Sequence, residues 1–166
     1  DMVRRYLRPA GQPSHLKEVI HLLDVTPARD KSDLGAVLHD LSERFKRRGI
    51  VAIFSDLLDD PTKVLAGLKH FRHRRHEVVV FHVLDPDEVD FPFRDPTLFQ
   101  GMEGIPDVAA DPVAIGAAYR KEVADYLDAL KKGCRMIDID YVPLRTDQPL
   151  DVALSAYLAA RASRKR

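Results

Sequence analysis

A chain of 166 residues, 45% hydrophobic and 31% charged, can bury one sizeable core and has the profile of a soluble globular domain. Lysine plus arginine balances aspartate plus glutamate at 26 each, so net charge argues for neither nucleic acid nor a membrane surface as partner. The single cysteine, Cys134, excludes an intrachain disulfide framework and a multi-cysteine zinc site, and it fits a reducing, cytoplasmic compartment. The longest apolar run, residues 78–84, is interrupted by His82 and is too short to span a bilayer. The opening "DMVRRYL" lacks the apolar segment of a signal peptide.

Residues 2–7 read as a short strand and "RPAGQP" as a loop. Ser14 reads as the N-cap of a helix with Leu16, Val19, Ile20 and Leu23 on its apolar side, ended by Pro27. A second helix is expected from Ser32, with Asp33 in its first turn. Its stripe is Leu34, Val37, Leu38, Leu41 and Phe45, and Gly49 closes it after the basic turn "KRR". "IVAIF" is continuously apolar and β-branched, as suits a parallel strand covered on both faces. Asp60-Pro61 reads as N-cap and first position of the next helix, with Val64, Leu65, Leu68 and Phe71 as its stripe. "EVVVFHVL" is a second buried strand, "DPDEVDFPFRDP" an acidic loop, and "TLFQGMEGIPDVAAD" a hairpin. Asp111-Pro112 starts a long helix that stops near Gly133, and "CRMIDIDYV" reads as a third strand. A last helix carries Leu150, Leu154, Tyr157 and Leu158. Helices alternating with apolar strands predict a parallel, doubly wound α/β sheet, in which ligands bind outside the carboxyl ends of the strands.

That rim draws attention to Ser32 and Asp56. A hydroxyl and a carboxylate are hard oxygen ligands suited to magnesium or manganese. The plainer reading makes Ser32 a helix cap and Asp56 a turn former, and a serine oxygen can do both jobs. Ser55, Asp33, Asp85 and Glu88 are possible further rim contacts. The acidic loop with Asp85, Asp87, Glu88 and Asp90 supplies carboxylates for acid–base work, or simply a solvated turn opened by Asp85-Pro86. His70, His73 and His76 are expected to be at least partly exposed and not to share a metal, since helical residues six apart fall on opposite faces. Cys134 is expected to be a buried thiol at a strand start. No phosphate-binding glycine loop, dinucleotide fingerprint or serine elbow is present.

"KSDLGAVLHDL" resembles the glycine-threonine-aspartate-leucine helix start of von Willebrand factor A domains, with Ser32 in the threonine's place. "IVAIFSDLLDD" resembles the strand ending in the aspartate of their metal-ion-dependent adhesion site. Ser55-Asp56, "VLDPDEVDFPF", Tyr119-Arg120 and the ending "LSAYLAAR" are similar to the bacterial domain-of-unknown-function family fifty-eight, whose members carry a degenerate domain of this type. The resemblance implies a three-layer α/β/α domain with a divalent metal at the top of the sheet, mediating protein contact rather than catalysis. It also suggests assistance to a MoxR-type AAA+ ATPase in complex assembly. The adhesion site's Asp-x-Ser-x-Ser motif is absent, so residues 1–166 are expected to be the C-terminal portion of one such domain, truncated at the N-terminus.

These readings lead to a protein-interaction module with metal ligands Ser32 and Asp56, binding magnesium or manganese weakly. The alternative is a metal-dependent hydrolase or phosphoryl-transfer enzyme using carboxylates near Asp56 and Asp85. No nucleic-acid partner and no membrane segment are expected. A homo-oligomer is possible, because the strand over residues 50–54 would expose an unpaired apolar edge.

Overall fold

The computed structural model describes residues 3, 5–8, 10–26, 33–101 and 106–164, with residue 164 described by its backbone alone. Ser32 therefore lies outside the described residues, as do Met2, Arg4 and Pro27. Residues 3 and 5–8 form no strand.

Helix α1 spans Pro13–Val25, and its N-cap is Gln12 rather than Ser14. Pro13 is already set for helical φ and has no N–H to lose, so the helix starts two residues earlier than Ser14 as N-cap suggested. Helix α2 spans Leu34–Arg44. Asp33 is its N-cap, accepting from the Ala36 N–H at 2.8 Å. The helix ends at the Phe45 C-cap, so the basic "KRR" and Gly49 lie beyond it. Helix α3, Pro61–His73, follows the expected pair, with the Asp60 carboxylate accepting from the Thr62 N–H at 2.7 Å.

Strands β1 (Ile50–Ser55), β2 (Glu77–Leu84) and β5 (Asp140–Arg145) form a parallel sheet in the order β1-β2-β5. Ser55 pairs in register with His82, and His82 with Pro143, so one row of residues crosses the sheet at its carboxyl end. Between β2 and β5 lie a short helix α4 (Pro86–Asp90), the antiparallel pair β3 (Thr97–Phe99) and β4 (Val108–Ala110), and the long helix α5 (Pro112–Met136). Helix α6, Leu150–Arg164, closes the described chain. The acidic loop thus contains a helical turn, capped by the Asp85 carboxylate on the Asp87 N–H at 2.8 Å.

Alternate residues of β2 feed two cores. Val78 and Val80 pack with Leu38, Val64, Leu68, Phe71, Leu130 and Cys134 from α2, α3 and α5. Val79 and Phe81 face the other way, against Leu144 and the Leu154 and Tyr157 side chains of α6. The chain is a mixed α/β fold with its parallel sheet flanked by helices. β1 departs from the expectation of burial on both faces, because it alternates exposed and half-buried residues. Among the described residues it is bonded only to β2, and Phe54 stays 60% exposed although its ring stacks on Phe81 at 4.6 Å. In a central strand both faces would be covered; at an edge beyond the reach of α6, one is not.

Two further expectations are corrected. Cys134 sits in the last turns of α5, which runs through Gly133, and β5 begins only at Asp140. A helical glycine costs about 1 kcal/mol relative to alanine, less than complete burial of the neighbouring Leu130 and Cys134 returns. His70 and His73 are exposed as expected, but His76 is only 2% exposed. Its Nδ1 accepts from the Gly49 N–H at 3.2 Å, and Nε2 lies 3.3 Å from the Phe45 carbonyl. His76 is a core histidine that ties the end of α2 to the start of β1.

Candidate functional site

The turn after β1 is held by the two residues at which the apolar run stops. Ser55 Oγ accepts from the Leu57 N–H at 3.0 Å, and Asp56 Oδ1 accepts from the Leu58 N–H at 3.3 Å. These contacts hold Leu57 at φ 53°, a left-handed backbone that costs a leucine roughly 1 kcal/mol or more. The reward is complete burial of the Leu57 side chain, and the Tyr126 hydroxyl donates to its carbonyl. Asp59 links this turn to α2. Its Oδ2 accepts from the Leu34 N–H at 2.9 Å and its Oδ1 from the Asp60 N–H at 2.7 Å.

Above this turn opens a cavity of about 550 Å³. The loop after β1 contributes Asp56 and Asp59, β2 contributes His82, α4 contributes Glu88, and α5 contributes Tyr119, Glu122 and Tyr126. Leu58, Leu84, Val89, Val123 and Leu127 supply apolar wall. No lysine or arginine lines it among the described residues. His82 is 1% exposed, and burial pushes its pKa below the usual histidine value, against smaller opposing effects of the Asp56 carbonyl and carboxylate. Burial likewise raises the Tyr126 and Tyr119 phenols, with Glu88 adding to the rise at Tyr119.

The structure brings Asp56 and Glu88 to one cavity, and it gives the other described residues of the predicted rim, Asp33, Ser55 and Asp85, local duties. Asp33 caps α2. Ser55 braces the turn. Asp85 caps α4 and also accepts from the Thr146 hydroxyl at 3.2 Å. Asp87 lies outside this cavity and lines a neighbouring one. Asp90 is gripped by Arg145 through two bonds of 2.8 and 3.2 Å. Sequence reasoning missed Asp59, Glu122 and Tyr126 as cleft residues, and read His82 only as an interruption. The usable signal was that one polar ring in an otherwise apolar strand.

A family model described as "Protein of unknown function DUF58" matches residues 1–126. This chain belongs to the DUF58 family. The match includes the whole turn after β1, α4 and, of the α5 residues that line the cavity, all but Leu127. Among curated proteins, the DUF58 chain is 28% identical over 169 residues to uncharacterized proteins of Mycobacterium bovis and Mycobacterium tuberculosis. The matches cover 96% of this chain and 50% of each relative, so the chain spans about half the length of the curated relatives it matches. No solved structure matches it.

Chemically, the cleft of this DUF58 chain offers carboxylates and two phenols around an apolar floor. Among the described residues no serine, threonine or cysteine lines it, and both ring nitrogens of His82 are engaged, by the Tyr141 hydroxyl at 2.6 Å and the Asp56 carbonyl at 2.7 Å. Such an arrangement holds a cation or a basic group more readily than it assembles a nucleophile with its base.

Proposed function

We propose that this chain is a protein-interaction module whose contact surface is the acidic cleft at the carboxyl rim of the sheet. One observation supports the reading above all. Asp56, Asp59, Glu88 and Glu122 converge on a single open cavity that no lysine or arginine lines among the described residues. Uncompensated carboxylates around a concave wall focus negative potential and favour a positively charged contact.

Asp56, which lines the cleft, holds magnesium or manganese together with Ser32. Asp56 suits this role because it is exposed and only one of its oxygens is taken up by the turn. Among the described residues no group of three or more His, Cys, Asp or Glu side chains is placed to hold a metal ion. An ion on Asp56 and Ser32 would keep most of its water, and its affinity would be weak, on the order of millimolar. The three-layer von Willebrand A-like arrangement, and a MoxR-type AAA+ ATPase as partner, rest on the motif resemblance and on the parallel sheet. The hydrolase alternative draws no support from the cleft, which lacks a nucleophile among the described residues.

Calorimetric titration of manganese into the protein and its Asp56→Ala variant tests the metal part. Weak saturable binding by the parent and none by the variant is the expected result. Equal heats in the two would end the metal role and leave Asp56 as a turn residue. Asp56→Ala should melt within about 1 kcal/mol of the parent, since an exposed rim carboxylate is not core packing.

A further inference from the structure

Beside the acidic cleft lies a second, smaller cavity of about 300 Å³, formed by α4, the β3–β4 pair and the start of α5. Its wall is aromatic. Phe91 stacks on Tyr119 at 4.3 Å and on Phe99 at 5.8 Å, and Phe93 meets both Phe91 and Phe99 edge-on at 5.3 Å. Phe91 reaches this place through a left-handed backbone, φ 46° and ψ 65°, at the C-cap of α4. A bulky residue rarely adopts that conformation, and here it turns the ring into the cluster, leaving it 6% exposed. Two further lining residues remain open to solvent, Val108 at 55% and Ile115 at 40%. An apolar hollow that keeps large side chains exposed marks an interaction site.

The two charged residues that line the hollow are both acidic, Asp87 and Glu88. Each is exposed, and neither carboxylate has a cationic partner among the described residues. Asp90, on the same short helix, is by contrast neutralised by Arg145. The Arg120 guanidinium packs over Gly116 near Phe91 but does not line the hollow. Glu88 and Tyr119 line both cavities, so the hollow and the acidic cleft form one continuous surface.

We infer that this hollow anchors a basic segment of a protein partner: one large apolar side chain enters between the aromatic rings, and a flanking lysine or arginine meets Asp87 and Glu88. The division of labour follows from solvation. A charge drawn into an aromatic wall would lose water without a partner, whereas at the exposed carboxylates it keeps both. A phenyl or leucyl group loses nothing by entering, and aromatic anchors flanked by charge are the usual carriers of binding energy. The inference rests on the interaction-module reading above and adds the chemistry of the partner to it.

The test uses blocked tripeptides and amide chemical shifts of the whole protein. The probe has phenylalanine between two lysines. Its controls have alanine in the centre, or glutamates in place of the lysines. The lysine-flanked phenylalanine peptide should bind about tenfold more tightly than the alanine peptide, the burial of a phenyl group being worth that much. It should exceed the glutamate-flanked peptide by about threefold, as exposed charge pairs are worth little each. Phe93→Ala should abolish the preference for phenylalanine. Asp87→Asn, an exposed change that cannot unfold the chain, should narrow the preference for lysine. Equal binding of all three peptides, or no binding of any, overturns the inference. Equal affinity for phenylethylammonium and the tripeptide also overturns it, by making this a site for a small aromatic amine. The peptide titrations are run without metal and the manganese titration without peptide, so failure of the anchor pocket and failure of the metal role read out separately.

Discussion

The Tyr141 hydroxyl and the Asp56 backbone are joined through one ring. Tyr141 donates to Nδ1 of His82 at 2.6 Å, and the Nε2–H of His82 donates to the Asp56 carbonyl at 2.7 Å. A carbonyl can only accept, so Nε2 carries the proton and Nδ1 is the acceptor. The ring is neutral in this arrangement, and it couples β5, β2 and the turn that presents Asp56.

Acid should therefore loosen the turn. Burial lowers the folded pKa of His82 below the ordinary 6.5, so between these two values the unfolded chain binds a proton that the folded chain refuses. Stability rises with pH across that window and falls as pH drops through it. Urea melts at a series of pH values between 7 and 5 should show the loss, and His82→Gln should flatten the slope in that window. An unchanged slope in the variant would assign it to another group.

Tyr141→Phe leaves Nδ1 of a buried imidazole without its donor. The expected cost is about 1–3 kcal/mol, the range for a stranded buried acceptor. The His82 pKa should move up towards its ordinary value, because the bond lost was one to the neutral form. Imidazole proton shifts followed against pH give the second readout.

Cys134 is fully buried, and desolvation pushes its thiol up to about 11. The thiolate is the reactive species, so modification by a thiol reagent at neutral pH should be slow and should require local or global opening. Labelling should accelerate in urea along the unfolding curve. Rapid labelling of the native protein would contradict the packing of α5 on the sheet.

Gly67 marks a close approach of α3 to α2. A Cβ there would stand 2.8 Å from Leu38 Cβ and 3.2 Å from the Gly35 carbonyl, neither of which can swing aside. Gly67→Ala should destabilise the protein by about 1–3 kcal/mol, because overpacking outweighs the better helix propensity of alanine. A stabilised variant in thermal melts would mean that the two helices can part without cost.

The uncovered side of β1 should drive association. Ile50 and Phe54 are 63% and 60% exposed on a strand that, among the described residues, is bonded only to β2. Such edges pair with other chains unless blocked. Sedimentation of the protein should show concentration-dependent self-association, and Phe54→Lys should reduce it. A concentration-independent monomer in both proteins would count against this.

Much of the local structure was legible in the residues themselves. Asp60-Pro61 and Asp111-Pro112 start α3 and α5 as read, because capping carboxylates and a preset proline φ act within a few positions. The glycine-broken stretch before Asp111 is the β3–β4 pair for the same kind of reason. Asp56 was legible as a rim residue from the apolar run that it ends. Local signals misled where a long-range contact outweighed them. Gly133 did not stop α5, and His76 did not stay in solvent with His70 and His73, because burial and the bond from Gly49 outweigh a glycine's entropy and a polar ring's hydration.

Only the tertiary structure decided the rest. β2 lies between β1 and β5, so β1 is an edge with one face bare, and no periodicity within "IVAIF" carries that order. The same order sets His82 beside Tyr141, 59 residues away, and Tyr126 beneath Leu57, 69 residues away. The cleft carboxylates come from the loop after β1, α4 and α5, and the aromatic hollow gathers α4, β3 and α5 around a phenylalanine with a left-handed backbone. The chain alone determined which residues cap, turn and bury. Which of them face each other is a property of strand order and helix docking, whose energies belong to pairs of residues far apart in sequence.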